Sequence, residues 1–160
     1  YTKRGDWILD AFMGSGTSLI EAQRMGRNSI GIELQQSVAE DARLRIDSEH
    51  VDDIRAEVLI GDSRSIDLNA ELNRLQIDAV QFVIMHPPYW DIINFSESAD
   101  DLSNAATLDE FLQSFGRVID GMSVIDAIAA VEIVSTQFGT HAPVNKVVID
   151  SMTFVTVQKR

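Results

Sequence analysis

A chain of 160 residues with 45% hydrophobic content suits one compact domain with a proper core, and its apolar runs fall short of the roughly 20 residues that a membrane span needs. Zero cysteines exclude a disulfide scaffold and a thiolate metal site and fit the cytoplasm, while three scattered histidines (His50, His86, His141) argue against a metal centre. A formal net charge of −12 opposes a phosphate backbone, because nucleic-acid binding draws much of its strength from neutralised phosphates.

Much of the acid sits in Glu40 to Glu57 and Glu97 to Asp101, leaving Lys3, Arg4, Arg24 and Arg27 as candidates for a local basic face. No signal peptide is evident, and Tyr1 without a preceding methionine points to a trimmed start.

In chain order, Trp7 to Phe12 is a short, mostly apolar run of the kind a buried strand shows. Gly14 and Gly16 follow, then Thr17 to Arg24 with Leu19, Ile20 and Ala22 at helical spacing and Gly26 as a stop. Glycines at this turn let the backbone approach a ligand that a Cβ would exclude. Thr17 lies at the helix start, where free N–H groups meet a carboxylate or hydroxyl. A dinucleotide fingerprint would need a third glycine where Leu19 stands, and no Gly-Lys-Ser/Thr follows for a triphosphate loop.

Asn28 to Glu33 reads as a second strand ending in a carboxylate of the type that binds a ribose diol. Glu57 to Asp62 reads as a third, followed by Ser63, and Ala79 to Met85 as a fourth running into His86-Pro87-Pro88-Tyr89. The segments Gln35 to Arg55 and Ser65 to Leu75 read as helices with charged outer faces. Alternating strands and helices predict an α/β fold, with a mostly parallel sheet, helices on both faces and a ligand crevice outside the carboxyl ends of the strands. Thr107 with Glu110 makes a capping box for a further helix over Thr107 to Arg117.

With these motifs in this order, residues 1 to about 119 resemble the S-adenosylmethionine-dependent DNA N4-cytosine/N6-adenine amino-methyltransferases. The resemblance implies a Rossmann-like methyltransferase sheet, S-adenosylmethionine as cofactor, and a methionine-end site at Asp10, Phe12, Gly14, Ser15, Gly16 and Thr17. It implies a ribose contact at Glu33, an adenine-side contact at Asp62 and Ser63, and a catalytic loop at His86, Pro87, Pro88 and Tyr89. Only Tyr1 to Asp6 stand where the family carries a Phe-bearing segment, which implies weak cofactor affinity.

The implied chemistry explains the residue types. An exocyclic amino nitrogen is a poor nucleophile because its lone pair is delocalised into the ring. A polar side chain and the carbonyl of the first proline can accept its hydrogens, and the attack also needs exact positioning of the methyl donor. Proline suits this loop because it fixes φ and offers no competing N–H. Tyr89 would stack on an extruded base. The family's first loop residue is Asp, Asn or Ser, and His86 departs from it. A neutral imidazole offers one acceptor nitrogen and an imidazolium none, so activity is expected to fall as pH drops through the titration of His86. The competing reading is that His86 caps a strand in a loop that has lost catalysis.

Phe115 to Val131 and Val147 to Val155 resemble the end of a cyclophilin-type prolyl isomerase, with a Phe-Gly-Arg-Val turn at Phe115 to Val118, a helix and a closing strand. That family's late catalytic histidine maps onto Leu112, so isomerase activity is not implied. The expectation is a single domain over 1–160, chimeric, with 1–114 as the cofactor and catalytic part. In it 115–160 completes the sheet through a helix (Met122 to Ala130), a short apolar run (Val131 to Ser135) and an antiparallel edge strand (Lys146 to Val157). Three function classes follow: methylation of a nucleobase amino group in DNA, aided by a separate recognition domain; a non-catalytic cofactor-binding fold; and methylation of a protein or RNA amino or amide group. No membrane or metal partner is expected.

Overall fold

The computed structural model describes residues 2–90 and 92–123. Four strands form one sheet in the order β3-β2-β1-β4, where β1 is Trp7–Asp10, β2 Asn28–Glu33, β3 Ala56–Ile60 and β4 Phe82–Ile84. Every pairing is parallel: Trp7 lies opposite Asn28, Ser29 opposite Ala56 and Ile8 opposite Phe82. Parallel strands need crossovers, and three helices supply them: α1 (Thr17–Arg24), α2 (Gln36–Ser48) and α3 (Leu68–Leu75). A fourth, α4 (Leu108–Ser123), follows a 3₁₀ turn at Leu102–Asn104.

Side-chain alternation along β2 divides the core between two faces. Ile30 and Ile32 join Leu9, Leu59 and Val80 in a cluster with α3 (Leu68, Leu72) and α4 (Phe111, Phe115, Val118, Met122). On the other face, Met13 packs with Leu19 of α1 and with Ala39, Ala42 and Ile46 of α2. Gly31 permits that second layer: a Cβ there would lie 2.8 Å from Met13 Cβ and 2.9 Å from Leu19 Cδ1, closer than side chains pack. The sheet is therefore covered by helices on both sides, as the alternating pattern predicts.

The bounds of α1 and β2 coincide with the sequence reading, but other elements are shorter. The helix expected from Gln35 to Arg55 ends at Ser48, because the chain turns through Asp53 at φ 67 before Arg55 N–H bonds Asn28 Oδ1 at 2.8 Å to enter β3. α3 begins at Leu68 rather than Ser65, because Asp67 caps it by accepting from Ala70 N–H at 3.0 Å. β4 is confined to the residues that reach β1.

At the start of α4 Thr107 Oγ1 accepts from Glu110 N–H (3.2 Å), while Glu110 Oε2 accepts from Ala106 N–H (3.0 Å), one residue earlier than in a standard box. Phe115 to Val118, read as a turn from the second resemblance, is helical, because Phe115 and Val118 both face the core from α4. The expected short run Val131 to Ser135, the edge strand Lys146 to Val157 and the helix beyond Ser123 lie outside the described residues.

Candidate functional site

All four parallel strands point their carboxyl ends the same way, and the loops leaving them enclose a cavity of about 470 Å³. The β1 loop contributes Phe12, Gly14 and Ser15; β2 and its exit contribute Glu33 and Gln35; the β3 exit contributes Asp62 and Ser63; the β4 exit contributes His86, Pro87, Pro88 and Tyr89. The proposition that the glycine turn and the Pro-Pro loop border one hollow, with Glu33 and Asp62 on its wall, is met by the geometry.

The β1 turn is held from both sides: Ala11 N–H donates to Ile84 O and Met13 N–H to Ile32 O, each at 3.0 Å. Gly14 and Gly16 both take positive φ (51° and 80°), which a residue with a Cβ adopts only under strain. At Gly14 a Cβ would meet nothing within 4 Å, so the space in front of it is open to a ligand. At Gly16 a Cβ would lie 3.0 Å from Ile46 Cδ1, so this glycine serves the packing of α1 on α2.

Asp10 is 5% exposed and does not line the cavity; it accepts from Phe12 N–H at 2.9 Å and from Ser18 Oγ, fixing the turn from behind. Thr17, at the start of α1, is also outside the lining, its hydroxyl 3.2 Å from that of Ser15. Of the nine residues expected around a cofactor, Asp10, Gly16 and Thr17 are thus not part of the wall.

Burial raises the Glu33 carboxyl above its ordinary range, against hydrogen bonds from the Gln35 and Gly14 backbone, with Asp101 adding a further rise by repulsion. The bond from Gln35 N–H is 2.8 Å. A partly desolvated carboxylate at the wall gains from any donor a ligand brings. Asp62 already carries a partner: Arg64 Nε lies 3.0 and 2.9 Å from its two oxygens, and Arg64 N–H 2.9 Å from Oδ1. Ser63 is buried and gives its hydroxyl proton to Ala11 O at 2.5 Å, stitching β3 to β1, so its side chain is committed to the fold.

On the opposite lip, His86 and Tyr89 are exposed and touch each other, Nε2 to OH at 3.0 Å with the rings edge to face. Trp90 anchors the loop by donating Nε1–H to Ala105 O at 2.9 Å. Beyond it the residues up to Asn104 fold back over the cavity, with Phe95, Asp100, Asp101 and Leu102 in its lining. Asp101 organises this segment, accepting from Ser96 Oγ (2.7 Å), Ser103 N–H (2.9 Å) and Ser103 Oγ (2.7 Å).

Sequence reasoning singled out none of these later residues. The spacing of Ser96, Ser98, Asp101 and Ser103 marks a hydrogen-bonded loop, but nothing in it tells where the loop lies. Among the described residues no group of side chains is placed to hold a metal ion, and no helix is long and apolar enough to cross a membrane.

Comparison with known proteins divides the chain. Residues 1–44, comprising β1, α1, β2 and part of α2, match the DNA methylase family. Residues 71–154 match the family of cyclophilin type peptidyl-prolyl cis-trans isomerase/CLD. The second match takes in slightly more than half of the residues, so the chain belongs to the cyclophilin family through its C-terminal half and carries a DNA methylase segment at its N-terminal end. A chimera is the form expected from the sequence, although the cyclophilin match starts at residue 71, inside α3, rather than near 115.

Two curated proteins share the N-terminal likeness. The type II methyltransferase M2.DpnII of Streptococcus pneumoniae is 47% identical over 49 residues, 31% of this chain and 18% of that protein. The type II methyltransferase M.MthZI of Methanothermobacter thermautotrophicus is 48% identical over 46 residues, 29% of this chain and 13% of that protein. The matches thus span less than a fifth of either relative. Among solved structures, the type I restriction-modification methyltransferase subunit of Streptococcus thermophilus aligns with a TM-score of 0.46 at 22% identity, over 72% of this chain and 27% of that one.

Proposed function

We propose that residues 1–114 form the cofactor and catalytic part of an amino-methyltransferase that uses S-adenosylmethionine and acts on an exocyclic amino group of a nucleobase in DNA. The observation that carries this reading is the single hollow in which Gly14, Glu33, Asp62 and His86 to Tyr89 meet. Its volume, about 470 Å³, lies in the range of small-molecule sites. The residues present fit the cofactor: open space before Gly14, a desolvated carboxylate at Glu33 and an apolar ring at Phe12. Phe12, Gly14 and Ser15 would hold its methionine end, Glu33 its ribose, and Asp62 with the Ser63 backbone its adenine side. When bound, S-adenosylmethionine supplies an electrophilic methyl group on a sulfonium.

The remaining chemistry belongs to the loop. His86 and the Pro87 carbonyl accept the hydrogens of the acceptor amino group, and Tyr89, 50% exposed at the lip, offers a ring face for stacking. The His86 to Tyr89 contact constrains the imidazole tautomer. With Nε2–H donating to the Tyr89 hydroxyl, Nδ1 carries the free lone pair and can accept. With Tyr89 O–H donating to Nε2, Nδ1 carries the proton and cannot accept. Catalysis therefore requires the first arrangement.

A second reading is favoured by charge. The cavity lining contains Glu33, Asp62, Asp100 and Asp101 and no lysine or arginine, which suits an amino or amide group on a protein or RNA better than an acceptor embedded in bare phosphate backbone. DNA as a partner would then need a separate basic recognition domain. The reading places the protein in the cytoplasm, in keeping with a chain that has no cysteine.

Titration with S-adenosylhomocysteine, followed by calorimetry and by melting shift, tests the cofactor site. Saturable binding is expected. No binding at millimolar ligand leaves a non-catalytic fold. Methyl transfer to duplex DNA, set against transfer to an RNA or a polypeptide amide, separates the two acceptor classes.

A further inference from the structure

Arg64 stands behind the cavity wall with its side chain only 16% exposed, and it faces two carboxylates on different parts of the chain. Its Nη2 lies 2.7 Å from Asp62 Oδ2, at the end of β3, and 2.8 Å from Asp100 Oδ1, in the segment that follows the Pro-Pro loop. Burial opposes the charge, yet the two carboxylates hold the Arg64 guanidinium above its ordinary range, with the hydrogen bond to Asp62 as the largest cause.

The two halves of this bridge are unequal. Asp62 is 19% exposed and takes the planar fork through both oxygens, whereas Asp100 is 66% exposed and takes one bond. Exposed ion pairs contribute little, so the Asp100 half is the one that opens first. Within the loop, the bonds run from Ser96, Ser103 and Asn104 back onto the loop itself. The ties that reach its Phe95 to Asp100 stretch from the strand ends are Arg64 to Asp100 and Gln35 Nε2 to Phe95 O at 3.3 Å.

We propose that Arg64 is a positioning residue that ties the Asp62 wall of the cavity to the Phe95 to Asp100 loop over its mouth, so that a ligand bonding Asp62 also sets the closure of that loop. A donor arriving at Asp62 competes with Arg64 for the same oxygens and changes what Arg64 has left to give Asp100. The bridge itself rests on geometry alone; its use in catalysis rests on the function proposed above.

Hydrogen exchange of the full chain without ligand tests the bridge. Arg64→Ala and Asp100→Asn are each expected to speed exchange in peptides covering residues 94–104 by about fivefold, equivalent to a modest ion pair, while β1 amides keep their protection. The double variant should exceed neither single variant by much, as expected of partners in one interaction. Arg64→Lys, which keeps the charge and loses the fork, should fall between.

Unchanged exchange over 94–104 in both single variants would overturn the proposal, as would a rise spread evenly over the sheet. If Arg64→Ala does not fold, Asp100→Asn at the exposed end decides alone. With S-adenosylhomocysteine present, exchange of the same peptides should change in the unaltered protein and change less in Asp100→Asn. A ligand that binds with no effect on this loop would remove the coupling. No binding by any form would remove the functional reading and leave the bridge intact.

Discussion

The two walls of the cavity are built in opposite ways. The wall formed by β1, β2 and β3 is made of strand ends whose polar groups are spent on the fold: Asp10 on Phe12 and Ser18, Ser63 on Ala11, Asp62 on Arg64. The lip beyond β4 leaves Tyr89, Ile92, Ile93 and Phe95 half or more exposed. A preorganised wall suits a ligand that returns unchanged in shape at each turnover, and a loosely packed lip suits an acceptor that must enter and leave. Rigidity and access are thus assigned to different strands of one sheet.

That contrast predicts separable defects. The largest concerns the lip: His86→Ala should lower the methyl-transfer rate by about a hundredfold, the loss typical of one transition-state acceptor, with cofactor affinity unchanged. His86→Asn should recover much of that loss, because its carbonyl accepts in any protonation state, and single-turnover rates for the two variants check the assignment. An equal loss in both would show that the loop, rather than an acceptor atom, is what His86 supplies.

On the wall, Gly31→Ala should destabilise by about 1–3 kcal/mol through overpacking against Met13 and Leu19, seen as a lower urea midpoint at unchanged slope. Glu33→Gln should weaken S-adenosylhomocysteine by about tenfold while stabilising the free protein. The sign follows from the raised carboxyl: its proton is held more tightly in the folded state, so the favourable contribution is complete at low pH and lost as pH rises through the folded value. The Gln variant should accordingly melt roughly 1–3 °C higher at neutral pH, with the gap closing as the solution is acidified. The smallest effect is expected at Ser29, whose Oγ is buried without a hydrogen-bond partner among the described residues. Ser29→Ala should be neutral or stabilising by up to about 1 kcal/mol in thermal melts.

Local chemistry was enough to read the strands and helices that lead to the site. Thr17–Arg24 follows from apolar spacing after a glycine turn, and Asn28–Glu33 from an apolar run closed by an acid. Parallel order followed as well, since alternating strands and helices leave few other sheets to build. With every strand pointing one way, residues at strand ends had to meet, which is why Phe12, Gly14, Glu33, Asp62 and His86 were legible as neighbours.

What each side chain does once there was decided by folding. Whether Asp10 faced ligand or backbone turned on Ser18, eight residues away, and Asp62 could be known as a paired carboxylate only once Arg64 folded back onto it. The tie from Arg64 to Asp100 spans 36 residues and leaves no periodicity in the chain. Hydrophobic period and turn chemistry are short-range and repeat along a sequence. Polar pairing in a cavity is long-range and singular, so it becomes visible only when the chain has closed on itself.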